Sequence, residues 1–313
     1  MTTFLFGRNN LALTVFVPYD CPNHCPFCTS KAMYAGANAK NVEYQLKRVL
    51  GEFRYPIKDV VFTGGEPMAD VGHLAKLIDT VPGRYNVYIN TCLTEDHLYD
   101  FVALVNKCDK INGVNVSRHG ESYGEDRKLL HGIAGDDAVR LFKKPVRINC
   151  VVCDQNIDAV IERWQGTNVN LCFRKDYRIP QTQTELHNLY EPFMLDLVAR
   201  GFRYYNHVQC NVCDTTRFER DGFMVTYHKG LQHSSILTGD VLEINDIIIN
   251  PDGHVAYDWD GCDLELMNEL EAQMGMGVRY HRANRHTYNH SVCGGGGCYS
   301  GVDDSGCGSG GCG

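Results

Sequence analysis

The 313-residue chain contains no apolar run approaching the roughly 20 residues that a membrane-crossing helix needs, which argues against a membrane partner. Met1 to Asn10 lack a basic stretch, an apolar core and a small-residue cleavage site in succession. No secretory signal is read there, and a cytoplasmic location is expected. There is no surplus of positive charge: 30 Lys and Arg stand against 38 Asp and Glu, a formal charge of −8. A bare nucleic-acid-binding module is usually basic, so nucleic acid ranks last among the expected partners. The stretch Arg140, Lys143, Lys144 and Arg147 is the one local feature that would suit RNA. No repeat of fixed 20–50-residue period is present beyond a strand–helix alternation.

What the chain does have is cysteine, 15 residues in all. An odd number without a signal peptide argues against a secreted disulfide framework and favours metal or redox chemistry in a reducing compartment. Cys293 to Gly313 hold four of these cysteines and 10 of the 31 glycines, so this tail is compositionally separate from the rest. Such a segment cannot bury a core and gains order only from a metal, a cluster or docking. It reads as a metal-binding appendage, a disordered end, or a peptide-like segment that occupies a site.

The first 200 residues alternate β-branched runs with stretches of helical character. Strands are expected at Leu11–Val17, Asp59–Thr63, Tyr85–Thr91, Ile111–Ser117, Val146–Val152 and Val169–Phe173. Helices are expected near Val42–Phe53, Val71–Thr80, Glu95–Asn106, Glu125–Phe142, Asp158–Gln165 and Thr184–Arg200. Thr94, followed by Glu95 and Asp96, reads as the start of the third helix. Six such units imply parallel strands with helical crossovers, either a doubly wound sheet or a full or partial barrel. In both, ligands sit at the C-terminal ends of the strands. After about Gly201 the texture becomes a smaller β-containing extension, with strands at Phe223–His228, Val241–Asn250 and His254–Asp258 and a helix at Leu264–Met274. The expected division is 1–200, 201–292 and a tail of 293–313.

Directly after the first strand comes Cys21-Pro22-Asn23-His24-Cys25-Pro26-Phe27-Cys28. Three thiolates in eight residues can wrap one small metal centre. A [4Fe–4S] cluster so held keeps one iron open to another ligand, whereas zinc would need a distant fourth ligand. The second strand ends in Thr63-Gly64-Gly65-Glu66-Pro67, where glycines allow close approach to the backbone and Glu66 can accept from an ammonium group.

Together, in this order and about 35 residues apart, the two motifs resemble the radical S-adenosylmethionine (SAM) superfamily. The resemblance extends from about Leu11 to Pro180 and is greatest toward the branch of GTP 3′,8-cyclase and the peptide maturases. It implies an α/β fold, a partial (β/α)6 barrel with the β-containing extension and the Gly/Cys-rich tail. It implies that Cys21, Cys25 and Cys28 ligate a [4Fe–4S] cluster whose fourth iron chelates SAM. Phe27 would pack near the adenine, and Gly64, Gly65, Glu66 and Pro67 would bind the methionine ammonium. Thr91, Ser117, Arg118 and Asn149, at later strand ends, would supply carboxylate- or ribose-binding groups. Cys210, Cys213 and Cys262 could ligate an auxiliary iron–sulfur cluster or zinc. The implied activity is reductive cleavage of SAM, with the 5′-deoxyadenosyl radical taking hydrogen from a substrate. A peptide or protein side chain is the first expectation, a small molecule or nucleotide the alternative, and a non-catalytic iron–sulfur carrier the rival from another class. Flavodoxin or ferredoxin would supply electrons.

Overall fold

A computed structural model describes residues 2–6, 11–23, 25, 28, 31–119, 132–151, 157–174, 183–209, 213–230, 235–259, 263–275 and 281–282. The six expected strands form, as β2 (Leu11–Phe16), β3 (Ile57–Thr63), β4 (Asn86–Thr91), β5 (Ile111–Ser117), β6 (Val146–Val151) and β7 (Asn170–Arg174). They follow β1 (Thr3–Phe6), which the sequence reading missed. Each pairs in parallel with the next, from β2 to β7. Helices α1 (Ala39–Gly51), α2 (Val71–Thr80), α3 (Leu98–Lys107), α4 (Ile157–Trp164) and α5 (Gln183–Ala199) cover one face.

The core lies between that face and the helices. Leu11, Leu13 and Val15 of β2, Val60 and Phe62 of β3, and Leu171 and Phe173 of β7 join Leu46, Leu74, Leu77, Phe101 and Trp164 in one buried cluster. Because side chains alternate along a strand, the residues between these point to the inner face of the partial barrel.

Beyond residue 201 the chain adds β8 (Arg203–Gln209), β9 (Cys213–Arg220), β10 (Phe223–Gly230), β11 (Ser235–Thr238), β12 (Val241–Ile244), β13 (Asp246–Ile249), β14 (Val255–Ala256), α6 (Leu264–Gly275) and β15 (His281–Arg282). These strands join the barrel sheet at both edges, in the order β14-β13-β2-β3-β4-β5-β6-β7-β10-β9-β8. β13 runs parallel to β2, and β10 runs parallel to β7. A second sheet, β11-β12-β1-β15, sits alongside.

Four expectations are corrected. Val241–Asn250 is two strands rather than one. The chain leaves the small sheet at Ile244 and enters the large one at Asp246, and the carbonyl of Asn245 between them accepts from Ala12 N (3.3 Å). Residues 125–131 of the expected helix Glu125–Phe142 lie outside the described residues, and its end is a short 3-10 turn, Asp136–Leu141, not an α-helix. Helix α3 begins at Leu98, because His97 takes a left-handed conformation (φ 60°) that breaks the turn expected from Thr94. The basic stretch is not one patch: Arg140 is exposed, whereas Arg147 is buried on the inner face. Among the described residues no helix is long and apolar enough to cross a membrane.

Candidate functional site

The loop that follows β2 carries Cys21, Cys25 and Cys28, each half-buried and without a disulfide. It starts at the C-terminal end of the strand, where the inner face opens. A local turn, Cys28 N to Cys25 O (3.1 Å), shapes it, and Asn23 N donates to Cys21 Sγ (3.4 Å). Among the described residues no three His, Cys, Asp or Glu side chains are gathered tightly enough to hold a metal ion, so these thiols share a loop without forming a closed cage.

The Gly-Gly-Glu-Pro segment lies against this loop. Gly64 has φ +83°, and a Cβ there would fall 2.3 Å from the Phe16 ring and from the Tyr34 hydroxyl. A Cβ on Gly65 would fall 1.9 Å from the carbonyl oxygen of Tyr19. Gly65 therefore lets the chain leading into the cysteine loop touch the end of β3 backbone to backbone, and Gly64 leaves room for the Phe16 ring and the Tyr34 hydroxyl. Gly65 N donates to the Tyr34 hydroxyl. Burial, joined by the nearby Cys28, Asp20 and Cys21, holds that hydroxyl protonated well above the usual tyrosine range.

Glu66 is 1% exposed, and its carboxylate is fully engaged. Oε1 accepts from Met68 N (3.0 Å) and Thr91 Oγ1 (2.5 Å), and Oε2 accepts from Cys92 N (2.7 Å) and Cys92 Sγ (2.7 Å). Four donors occupy the roughly four lone-pair sites of a carboxylate. Glu66 thus ties the β3 turn to the end of β4 and caps the 3-10 turn Pro67–Asp70, in which Pro67 is the first residue. Thr91 is spent in the same knot, since its hydroxyl also accepts from Leu93 N (2.8 Å).

Cys92 had no ligand spacing in the sequence, yet it meets the cysteine loop. Asn23 Nδ2 donates to its sulfur (3.0 Å). A hydrogen bond with Cys21, then burial and the Glu66 charge, push its thiol far up. Its one signal in the sequence is its position directly after a strand end.

Ser117 and Asn149 are register partners at the ends of β5 and β6. Asn149 is 5% exposed, and its Oδ1 has no hydrogen-bond partner among the described residues. Arg118 is already occupied: Nη1 donates to the carbonyls of Cys92 and Ser117, Nη2 donates to that of Ala134 (2.8 Å), and Nε lies 3.7 Å from Asp136. It clamps the β4 and β5 ends to the segment after residue 132, and burial lowers its pKa. His119 follows, half-buried, with Nδ1 accepting from Val151 N (3.1 Å). Burial, with the adjacent Arg118 charge, brings its pKa to about 3, so the ring is neutral. Phe27, Cys210 and Cys262 lie outside the described residues, as does the tail. Of Cys213 only the strand position is described, at the start of β9.

The donor chemistry fits an iron–sulfur cluster with one open iron. Three sulfurs lie in one short loop, tight backbone contact braces it, and toward the end of β6, at the same end of the sheet, Asn149 Oδ1 is a buried acceptor with no partner among the described residues.

Residues 9–128 match the model of the 4Fe-4S single cluster domain family. Among solved structures, SuiB of Streptococcus suis superposes with a TM-score of 0.50 at 16% identity, over 79% of this chain and 60% of that one. SuiB bound to its precursor peptide SuiA gives 0.48 at 18% identity, over 62% and 47%. Coproporphyrinogen III oxidase (HemN) of Escherichia coli, described as a radical SAM enzyme, gives 0.40 at 14% identity, over 63% and 54%. The chain thus spans less than two thirds of the length of each of these relatives. No curated protein matches the sequence. At such identity the likeness to SuiB is one of fold, the partial barrel.

Proposed function

We propose that this chain is a radical SAM enzyme, which cleaves SAM reductively and takes a hydrogen atom from a substrate; its match to the 4Fe-4S single cluster domain model at residues 9–128 and its partial-barrel fold support the reading. The observation that carries this is the contact of two motifs. A three-thiol loop at the end of β2 is pressed against the Gly-Gly-Glu-Pro turn at the end of β3, with no room for a Cβ at Gly65. Cys21, Cys25 and Cys28 would hold the cluster. When bound, the cluster and SAM supply an electron to the sulfonium and a carbon-centred radical to the substrate; the protein binds, orients and excludes water.

The chain's own residues divide those tasks. Glu66 accepts four internal hydrogen bonds, so it acts as the brace of the turn. The backbone of Gly64 and Gly65 is left to meet the methionine ammonium. Asn149 Oδ1 is a buried acceptor suited to a ribose hydroxyl. Arg118 and Thr91, both engaged within the protein, position the strand ends around the ligand. The substrate class we carry forward is a peptide or protein side chain, on the resemblance to the peptide-maturase branch. An electron donor such as flavodoxin or ferredoxin completes the cycle.

The test is anaerobic reconstitution with iron and sulfide, followed by dithionite and SAM. The expected product is 5′-deoxyadenosine, absent when Cys21, Cys25 and Cys28 are all changed to Ala. Release of that product by the triple variant overturns the proposal.

A further inference from the structure

Glu66 is the residue that the Gly-Gly-Glu-Pro turn offers to an amino group, and in this chain it is closed. Met68 N, Thr91 Oγ1, Cys92 N and Cys92 Sγ already fill its carboxylate. An amino group arriving at the open iron therefore needs a side-chain acceptor from elsewhere. The cysteine loop holds one. Asn23, between Cys21 and Cys25, is 2% exposed, and its Oδ1 has no hydrogen-bond partner among the described residues.

The rest of Asn23 is fixed at two sulfurs. Its backbone N donates to Cys21 Sγ (3.4 Å), and its Nδ2 donates to Cys92 Sγ (3.0 Å). These bonds also settle which way the carboxamide points. Cys92 Sγ donates its proton to Glu66 Oε2 (2.7 Å), so toward Asn23 the sulfur is the acceptor. The NH2 end of the amide meets Cys92, and the carbonyl end is left open. A buried acceptor without a donor is destabilising, so such an atom is kept where a ligand or a trapped water answers it. The answering group must carry an N–H or an O–H. Of the two groups with which SAM would chelate the iron, the carboxylate carries neither and the amino group carries N–H.

We infer that Asn23 Oδ1 is the side-chain acceptor for the amino group of SAM, in the place where the motif offers Glu66. The inference rests on the proposed SAM chemistry for its ligand. It divides two duties between two residues: Glu66 braces the turn, and Asn23 joins the Gly64 and Gly65 backbone in reading the amine. The residue that recognises the ligand is then also the one whose backbone N–H lies on Cys21, so the loop that holds the cluster carries part of the ligand's specificity.

The experiment uses the full chain, reconstituted anaerobically with iron and sulfide, in equilibrium titrations with two ligands that differ only in the amine. These are S-adenosylhomocysteine and its deaminated analogue, 5′-S-(3-carboxypropyl)-5′-thioadenosine. The quantity read is the preference for the amine, the ratio of the two dissociation constants, with iron per chain measured for each sample. Asn23→Leu keeps the size of the side chain and removes the acceptor. It should lower the preference about fivefold or more, the loss of one hydrogen bond. A smaller change overturns the inference, because a trapped water or a purely structural Asn23 affects both ligands alike. Should Asn23→Leu take up no iron, the crystal structure of the reconstituted wild type with S-adenosylhomocysteine replaces it. An amino nitrogen within about 3.2 Å of Asn23 Oδ1 upholds the contact, and a longer separation overturns it. Release of 5′-deoxyadenosine by the wild type is read in parallel. Its absence, with the preference dependent on Asn23, overturns the SAM-cleavage reading alone. Its presence, with the preference unchanged in Asn23→Leu, overturns this inference alone.

Discussion

The two ends of the inner face are built on opposite plans. Around β2 to β4 the polar groups at the strand ends are knotted to one another: four donors on Glu66, Thr91 between Glu66 and Leu93, and Asn23 on Cys92. Asn115, Asn90 and Thr63 continue the knot as a ladder across β5, β4 and β3, at 2.6 and 3.1 Å. From β7 to β9 the buried polar groups instead include the guanidiniums of Arg174 and Arg217, with Asn206 Oδ1 3.5 Å from Arg217 Nη1 and Thr215 Oγ1 2.9 Å from His228 Nδ1. The first region ties three strand ends into one geometry, and the second concentrates positive charge on the inner face. Different substitutions should therefore fail in different ways.

The largest effect is expected at Glu66. Glu66→Ala strands two buried N–H groups and removes charge-assisted bonds at the end of β4. A loss of about 3–5 kcal/mol in folding free energy follows from such networks, measured by denaturant unfolding of the metal-free protein. If Glu66 served only to hold an ammonium, stability would be untouched and only SAM affinity would fall, about 10- to 150-fold.

Next is Gly65→Ala. The added methyl meets the Tyr19 carbonyl, so the cysteine loop must move away from β3. Overpacking of this kind costs about 1–3 kcal/mol, and iron content after reconstitution should fall along with the unfolding midpoint. A variant with full iron content would show that the close contact does not govern the loop.

Asp59 gives a pH-dependent effect of similar or smaller size. Burial, opposed by the hydrogen bond from Asn86, raises its pKa from 3.8 to about 6. Between those values the folded state keeps a proton that the unfolded state has released, so stability falls as pH rises through this window. Above it the loss is complete. Asp59→Asn should therefore be more stable than the wild type at pH 7 to 8 by about 1–3 kcal/mol, with the gap closing below about pH 4. A gap that widens toward acid in thermal melts would contradict this.

The smallest effect belongs to the rim. Arg203 of the edge strand β8 pairs with Glu219 of β9 at 2.7 Å, and Arg203→Ala should leave the unfolding midpoint nearly unchanged, because an exposed ion pair is screened by water.

Local chemistry was legible in the sequence, and long-range chemistry was not. The cysteine loop and Gly64 to Pro67 are contiguous words, and the six barrel strands are apolar runs with clear ends. Cys92 escaped because its partners Glu66 and Cys21 lie 26 and 71 positions away, with no ligand spacing to mark them. Arg118 was read as a ligand group because it ends a strand, but its guanidinium bends back onto Cys92 and Ala134. Strands β8 and β9 were missed because their polar residues hide the alternation that packing against β10 supplies.

The pairing of β12 with β1 and of β13 with β2 has a consequence in time. Asp246 stands beside Ala12, and Val241 beside Thr3, more than two hundred positions apart. During synthesis the strand that leads into the cysteine loop must wait, with one edge unsatisfied, until nearly the whole barrel has left the ribosome. Contacts of such sequence separation form late and slowly, and an exposed strand edge is prone to wrong partners meanwhile. Closure of this edge, and with it the final setting of the loop after β2, is therefore a late event in folding, and metal delivered earlier would meet thiols on a chain that has not yet fixed where they belong.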